Sequence, residues 1–191
     1  CDALGITKPI VLGQSFGGFV AQRYLARHPA HPGKVILSST THHMGLARKL
    51  AMFEKLGGLE ARAVAEAFWT QPNAQTWADY NRVCKRYYNT TPQDGEAGQR
   101  TIFNTDILFA SAGGEQRTMN LLPGLARAQC PVLVMAGDAD PVTPIEDAQD
   151  IVAALPPQWV RFERFANVGH GAWRDDADAA FAVLRRFIAE A

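Results

Sequence analysis

Short apolar runs alternate with segments of helical periodicity near both ends of the chain. The short runs are typical of buried strands, and the segments between them place apolar residues at the spacing of a helix face. In chain order the pattern predicts a strand at 9–13, a helix at 19–26, strands at 34–39 and 131–136, a helix at 144–155, a strand at 159–165 and a helix at 177–190. Strands that alternate with helices favour a parallel sheet covered on both faces, which is an α/β fold.

The middle of the chain follows a different pattern. Residues 42–127 have helical periodicity interrupted by breakers such as Pro72 and Pro92, and they contain no convincing strand. We therefore predict a helical insertion between two parts of one sheet-forming core, residues 1–41 and 128–191. The aromatic residues of the insertion are expected to form a small core, and one or two of them, such as Trp69, to line a pocket.

Composition and charge exclude several classes of partner. The 191 residues carry 19 basic and 19 acidic side chains, so the formal net charge is zero and no footprint for nucleic acid or an anionic membrane is present. No apolar run approaches the roughly 20 residues that a membrane-spanning helix needs. The first residues lack a signal-peptide pattern. The cysteines are few and odd in number, three in all, so a disulfide framework is not expected. We therefore expect a cytoplasmic protein.

A Gly-x-Ser-x-Gly pattern at residues 13–17 lies between the first predicted strand and the first predicted helix. A serine there occupies a sharp, strained turn that lifts its hydroxyl clear of the sheet, and a Cβ at Gly13 or Gly17 is expected to clash. The backbone N–H of Phe16, at the start of the helix, then points toward a developing oxyanion. The pattern predicts that Ser15 is a nucleophile.

Acidic and basic partners for such a serine follow two later strands. Asp138 and Asp140 both come directly after the strand at 131–136, and either carboxylate suits the role of the acid. His170 follows the last strand and is flanked by glycines, so its ring can reach out from a loop of flexible backbone to shuttle protons near neutral pH. The order serine, aspartate, histidine matches the order expected of an α/β-hydrolase triad.

The other histidines suggest no metal or cofactor site. His42 and His43 follow the second strand, where we expect a solvent-facing loop, with pocket lining as the alternative. No cluster has the spacing of metal ligands, and the turn at Gly13 lacks the lysine of a phosphate-binding loop. We predict neither a metal nor a cofactor.

Three segments carry a resemblance to a known family. Residues 13–18, 136–144 and 169–175 resemble the proline iminopeptidase group of the α/β-hydrolases. The resemblance implies a triad of Ser15, Asp140 and His170, with residues 42–127 as a helical cap over the site. It implies a serine hydrolase that cleaves small peptides, amides or esters through an acyl-enzyme, as an aminopeptidase does. The alternatives are a carboxylesterase or lactonase with the same triad, and a non-catalytic ligand-binding protein on this fold.

The resemblance also suggests residues for substrate binding. Proline-selective members use carboxylates of the cap to hold the substrate amine, and Asp106 and Glu115 are the candidates in this chain. Gln14, Trp69 and Trp173 are further candidates for contact with substrate.

The resemblance raises an expectation about the start of the chain. Members of the family have about four strands before the nucleophile strand, and these include the loop that donates the second oxyanion N–H. Here the chain begins only a few residues before that strand. We therefore expect a processed chain, in which an N-terminal fragment of the same precursor, separated by maturation cleavage or by nicking, is a partner that completes the sheet.

Overall fold

Four parallel strands form one sheet in the part of the chain that the structure describes. The computed structural model describes residues 1–92, 95–102 and 104–190. The strands are β1 (Ile10–Gln14), β2 (Lys34–Ser38), β3 (Val132–Gly137) and β4 (Val160–Phe165), in spatial order β1-β2-β3-β4. All three pairings are parallel, so the carboxyl ends of the strands meet at one edge of the sheet.

Helices connect the strands and follow the last of them. Within the described residues they are α1 (Phe16–Arg27), α2 (Leu46–Thr70), α3 (Ala74–Val83), α4 (Gly95–Arg100), α5 (Thr105–Gly113), α6 (Leu122–Leu125), α7 (Ile145–Ala154), α8 (Ala172–Asp175) and α9 (Ala177–Ala189). Short 3-10 turns occur at Asp2–Leu4, Lys85–Tyr87 and Glu115–Arg117. None of the helices in these ranges is both long and apolar enough to cross a bilayer.

The two faces of the sheet bury different clusters, because successive strand residues point to opposite sides. Val35 and Leu37 of β2 pack in the cluster that contains Leu25 of α1 and Ile151 of α7. Ile36, between them, packs on the other face with the residues of α9. The predicted α/β fold, a parallel sheet covered on both faces, is therefore confirmed.

The predicted elements agree with the structure to within one residue at most boundaries. The main difference is α1, which begins at Phe16 rather than at residue 19 and so follows Ser15 directly. The central strand β3 is buried along its whole length, whereas the edge strand β4 is mostly half-buried. The early start of α1 places Ser15 at the junction of a strand and a helix.

The segment between β2 and β3 is helical and has its own core. Its described residues contain no strand, and Phe53, Phe68 and Tyr80 are fully buried within it. The long helix α2 is kinked at Gly58, whose φ of 72° lies outside the helical region. The bounds of the cap at residues 42 and 127 remain a prediction.

Lys49 of α2 is a buried cation within this region. The residue is only 3% exposed, and its ammonium nitrogen lies 3.5 Å from the centroid of the Trp69 ring. Burial lowers the pKa of Lys49 to about 8, although the charges of Asp147 and Asp140 oppose the shift. Burial therefore makes Lys49 lose its proton at a lower pH in the folded protein than an exposed lysine does.

Replacing this lysine by methionine should change how stability depends on pH. The unfolded chain binds a proton at Lys49 up to its ordinary pKa of 10.5, whereas the folded chain releases it near 8. The free energy of unfolding of the natural protein should therefore rise by about 2 kcal/mol between about pH 7.5 and pH 9.5 through this group alone. Lys49→Met should lack that increment in urea unfolding at the two pH values, whereas Lys55→Met, at an exposed position of the same helix, should retain it. Equal slopes for both variants would contradict the assignment.

Candidate active site

Ser15 occupies a strained turn between β1 and α1. Its φ of 52° and ψ of −120° lie in a region that non-glycine residues rarely adopt. Its backbone N–H donates to the carbonyls of Ser38 (3.0 Å) and Ser39 (3.1 Å) at the end of β2. The turn that the Gly-x-Ser-x-Gly pattern predicts is therefore present, and its strain is balanced by bonds to the neighbouring strand.

The glycines around Ser15 make room in a way that differs from the prediction. A Cβ on Gly13 would stand 2.3 Å from the carbonyl oxygen of Gly17, as expected for a close approach. A Cβ on Gly17 would meet nothing within 4 Å, so the expectation of a clash there is wrong. The second crowded position is Gly18, where a Cβ would lie 2.3 Å from Oγ1 of Thr40. The helix thus approaches the strand ends at Gly13 and Gly18.

Alanine substitutions at Gly13 and Gly17 should change the stability of the protein in opposite directions. Gly13→Ala should lower the free energy of unfolding by about 3 kcal/mol, because a new Cβ would collide with backbone that the turn holds in place. Gly17→Ala is the matched control and should raise it by about 0.5–1 kcal/mol, since its Cβ enters open space at a helical position. Urea unfolding of both variants provides the measurement, and equal destabilisation would contradict the packing described here.

Asp140 and His170 are in direct contact. Nδ1 of His170 lies 2.9 Å from Oδ2 of Asp140, and both residues are buried. Oδ1 of the carboxylate accepts the N–H groups of Val142 (2.8 Å) and Thr143 (2.9 Å), and Oδ2 accepts the Thr143 hydroxyl (2.8 Å). These donors fix the carboxylate, which in turn orients the imidazole.

Asp138 has a different role. Its Oδ1 accepts the backbone N–H of Asn167 (2.7 Å), and its Oδ2 lies 3.2 Å from the guanidinium of Arg164. These bonds hold the start of the loop between β4 and α8, residues 166–171, which we call the histidine loop, and they do not involve the imidazole. Of the two aspartates that the sequence offers, the structure brings Asp140 to His170.

The histidine loop is held by three consecutive backbone N–H groups. Gly169 donates to Oδ2 of Asp175 (2.7 Å), His170 to the carbonyl of Tyr88 (2.5 Å), and Gly171 to Oγ of Ser39 (2.9 Å). The flanking glycines permit close approach and an unusual backbone rather than mobility. A Cβ on Gly169 would lie 2.1 Å from the Tyr88 carbonyl oxygen, and Gly171 has a φ of 102°.

Ser39 links the serine turn to the histidine loop. Its carbonyl accepts the N–H of Ser15, and its hydroxyl accepts the N–H of Gly171. It is fully buried and has a φ of 44°, which is strained for a serine. Sequence reasoning missed this residue, because the preceding strand pattern simply continues through it.

The Ser15 hydroxyl makes no hydrogen bond with the His170 imidazole among the residues that the structure describes. The two segments are nevertheless neighbours. The amide of Gln14, the residue before Ser15, lies against Gly171, the residue after His170, because a Cβ on Gly171 would stand 2.5 Å from Nε2 of Gln14. Catalytic hydrogen bonds of this kind often tighten only in the complex with substrate.

Two clefts contain one each of the predicted substrate-binding residues, Glu115 and Trp69, and neither cleft is lined by Ser15, Asp140 or His170. A cleft of about 1440 Å³ is lined by Phe16, by other residues of α1 and by Glu115. Phe16 is exposed and is the first residue of α1, where backbone N–H groups have no partner within the helix. A smaller pocket of about 610 Å³ is lined by Trp69 and His43.

The remaining candidates lie elsewhere. Asp106 is exposed in the first turn of α5. Trp173 is half-buried and packs against the cluster between the sheet and α9, which gives it a role in the core.

His42 does not face solvent, so that expectation is wrong. The residue is 7% exposed, its Nε2 lies 3.3 Å from Oδ2 of Asp150, and its ring stacks on His43 at 4.0 Å. Burial, followed by the charge of His42, lowers the pKa of His43. The alternative expectation, pocket lining, holds for His43.

In residues 1–92, 95–102 and 104–190, no three histidine, cysteine, aspartate or glutamate side chains are grouped to hold a metal ion.

Comparisons with known proteins agree on the fold. A family model described as alpha/beta hydrolase fold matches residues 1–173. The chain is similar to the solved structure of a proline iminopeptidase from Mycobacterium smegmatis, with 22% identity, a TM-score of 0.71, and coverage of 98% of this chain and 67% of that one. An esterase from a Rhodococcus species has 20% identity and a TM-score of 0.67, with 99% and 68% covered. An enol-lactonase from Burkholderia xenovorans has 18% identity and a TM-score of 0.65, with 99% and 68% covered.

The search of curated proteins finds no match. At identities of 18–22%, the likeness to the three solved structures is one of fold.

Proposed function

The chain belongs to the α/β-hydrolase family, and from that premise we propose that it is a serine hydrolase with Ser15 as nucleophile. The observation that carries the proposal is the buried contact of 2.9 Å between His170 and Asp140, beside the strained turn that presents Ser15. Ser15, Asp140 and His170 follow the carboxyl ends of β1, β3 and β4 in one parallel sheet, which supports the proposed roles of nucleophile, acid and base.

The proposed reaction is acyl transfer through a covalent intermediate. Ser15 attacks the substrate carbonyl while His170 takes its proton and later gives that proton to the leaving group. Asp140 holds the imidazole in the required tautomer and stabilises the imidazolium. The N–H of Phe16 binds the oxyanion, and water then hydrolyses the acyl-enzyme. This chemistry requires no cofactor.

The substrate that we propose is a small peptide or amide with a free amino terminus. Glu115 supports this choice, since it lines a cleft that extends along α1 from Phe16, the residue after Ser15, and its carboxylate can attract a substrate ammonium group. The second candidate is a carboxylester or lactone. The apolar side chains of Phe16, Phe19 and Val20 in that cleft favour it, because they suit an acyl chain.

A substrate panel in the full-length protein distinguishes the candidates. We expect hydrolysis of aminoacyl p-nitroanilides, with loss of turnover when the amine of the same compound is acetylated. Preference for p-nitrophenyl acyl esters with no need for an amine would establish the esterase alternative. No turnover of either series, together with binding of the compounds, would favour a ligand-binding protein without catalytic activity.

A further inference from the structure

A segment of the helical region lies directly on the histidine loop. The carbonyl of Tyr88 accepts the N–H of His170 at 2.5 Å, and Nδ2 of Asn89 lies 3.4 Å from the carbonyl oxygen of His170. The hydroxyl of Thr90 donates to the carbonyl of Asn167 at 2.8 Å. Residues 88–91, which we call the cap clamp, are thus bonded along the whole loop that carries the proposed base.

The Asp175 carboxylate connects the two segments. Its Oδ2 accepts the N–H of Gly169 (2.7 Å), and the other donors come from the cap clamp. Those donors are Nδ2 of Asn89 (3.3 Å), N of Thr90 (3.1 Å to Oδ1), N of Thr91 (3.0 Å) and Oγ1 of Thr91 (2.7 Å). A single side chain therefore satisfies donors that lie on both sides of the contact.

The charge of Asp175 suits this position. Burial alone would raise its pKa, but hydrogen bonds from Gly169, Thr91 and Thr90 outweigh burial, so the pKa lies below its ordinary value. An ionised carboxylate can accept all of these donors at once, whereas neutral side chains of the same size cannot.

The cap clamp also reaches the core of the helical region. The Tyr88 hydroxyl is bonded to that of the fully buried Tyr80 at 2.9 Å, and the Tyr88 ring makes a T-shaped contact with the His170 imidazole, with centroids 5.5 Å apart. Asp140 therefore fixes the imidazole through Nδ1, while the clamp fixes the backbone that carries the ring. Nucleophile and base must hold their relative geometry closely for efficient catalysis.

We propose that Asp175 is a positioning residue that ties the cap clamp to the histidine loop and thereby sets where the His170 imidazole stands relative to Ser15. The inference rests on the proposed role of His170 as base. Asp175 touches no reacting atom and acts through the loop. The helical region then serves the reaction by holding the base.

The test compares Asp175→Ala with Asp176→Ala in the full-length protein. Asp176 is the matched control, since it is the neighbouring carboxylate and caps α9 by accepting the N–H of Ala179 at 3.0 Å. Asp175→Ala should lower kcat about 10-fold to 100-fold with KM nearly unchanged, as expected when a catalytic group is displaced by about 1 Å. It should also shift the downfield proton NMR signal of His170 Nδ1–H, assigned by its absence in His170→Gln. Asp176→Ala should lower only the thermal unfolding midpoint.

Two results would overturn the proposal. A folded Asp175→Ala variant with the natural kcat and an unshifted Nδ1–H signal would leave Asp175 with no effect on the base. If that variant does not fold, kcat and the Nδ1–H signal are measured in Thr91→Val, which removes one donor to the carboxylate. Natural values of both quantities in Thr91→Val would then overturn the proposal. A natural protein that hydrolyses nothing would defeat the proposed function alone, since the NMR signal still reports whether Asp175 fixes the ring.

Discussion

Ser15→Ala should lower kcat by about 10⁴-fold to 10⁶-fold while leaving the fold and substrate affinity nearly unchanged. The serine is the nucleophile of the proposed reaction, and removal of a triad nucleophile elsewhere costs a factor of this order. Its side chain makes no hydrogen bond within the described residues, so its loss removes no structural contact. Steady-state kinetics on the best substrate of the panel, with circular dichroism as a check on folding, provide the measurement.

Ser38→Ala is the control for this substitution. Ser38 ends the neighbouring strand, is fully buried, and has a hydroxyl that finds no partner among the described residues. Removal of that hydroxyl should leave kcat within about 2-fold of the natural value. Equal loss of activity in both variants would indicate damage to the strand ends rather than loss of a nucleophile.

Asp140→Asn should lower kcat by about 10⁴-fold with little change in structure. Oδ1 can remain the acceptor for the N–H groups of Val142 and Thr143, so the amide –NH₂ replaces Oδ2 and faces the imidazole. A donor at that place favours the tautomer with the proton on Nε2 of His170. That nitrogen is then unable to accept the proton of Ser15.

Asp138→Asn separates the role of the acid from a general effect of charge. The asparagine keeps an acceptor for the N–H of Asn167 and loses only the charge paired with Arg164, a largely exposed partner. Such pairs contribute about 0–1 kcal/mol to stability, and kcat should remain within about 2-fold. If Asp138→Asn were the inactive variant, the pairing of Asp140 with His170 would not be the catalytic one.

The parts of the site that the sequence predicts are those set by local patterns. Ser15 and His170 each lie between glycines at the end of a predicted strand, and residues within a few positions determine both turns. The choice of Asp140 over Asp138 depended on family resemblance. The distinction is long-range, because the partner of Asp138 is the N–H of Asn167, which lies 29 residues away.

Contacts between distant segments explain what the sequence did not reveal. Ser39 and Gly171 are bonded across 132 positions, and Thr91 and Asp175 across 84. No periodicity records such pairs. The same limit explains the wrong expectation for His42. The sequence placed it on a solvent-facing loop, whereas its ring lies against Asp150 of α7, 108 positions later. The clash expected at Gly17 is absent, because the position crowded by Thr40 is the next residue, Gly18.

The central claim is that Ser15 is a nucleophile activated by His170 and Asp140, and covalent labelling tests it most directly. The full-length protein is treated with a fluorophosphonate, and the modified residue is identified by peptide mapping with mass spectrometry. We predict one adduct, on Ser15, which is absent from Ser15→Ala and forms far more slowly in Asp140→Asn. An adduct on another residue, or none in a preparation that hydrolyses its substrates, would contradict the account.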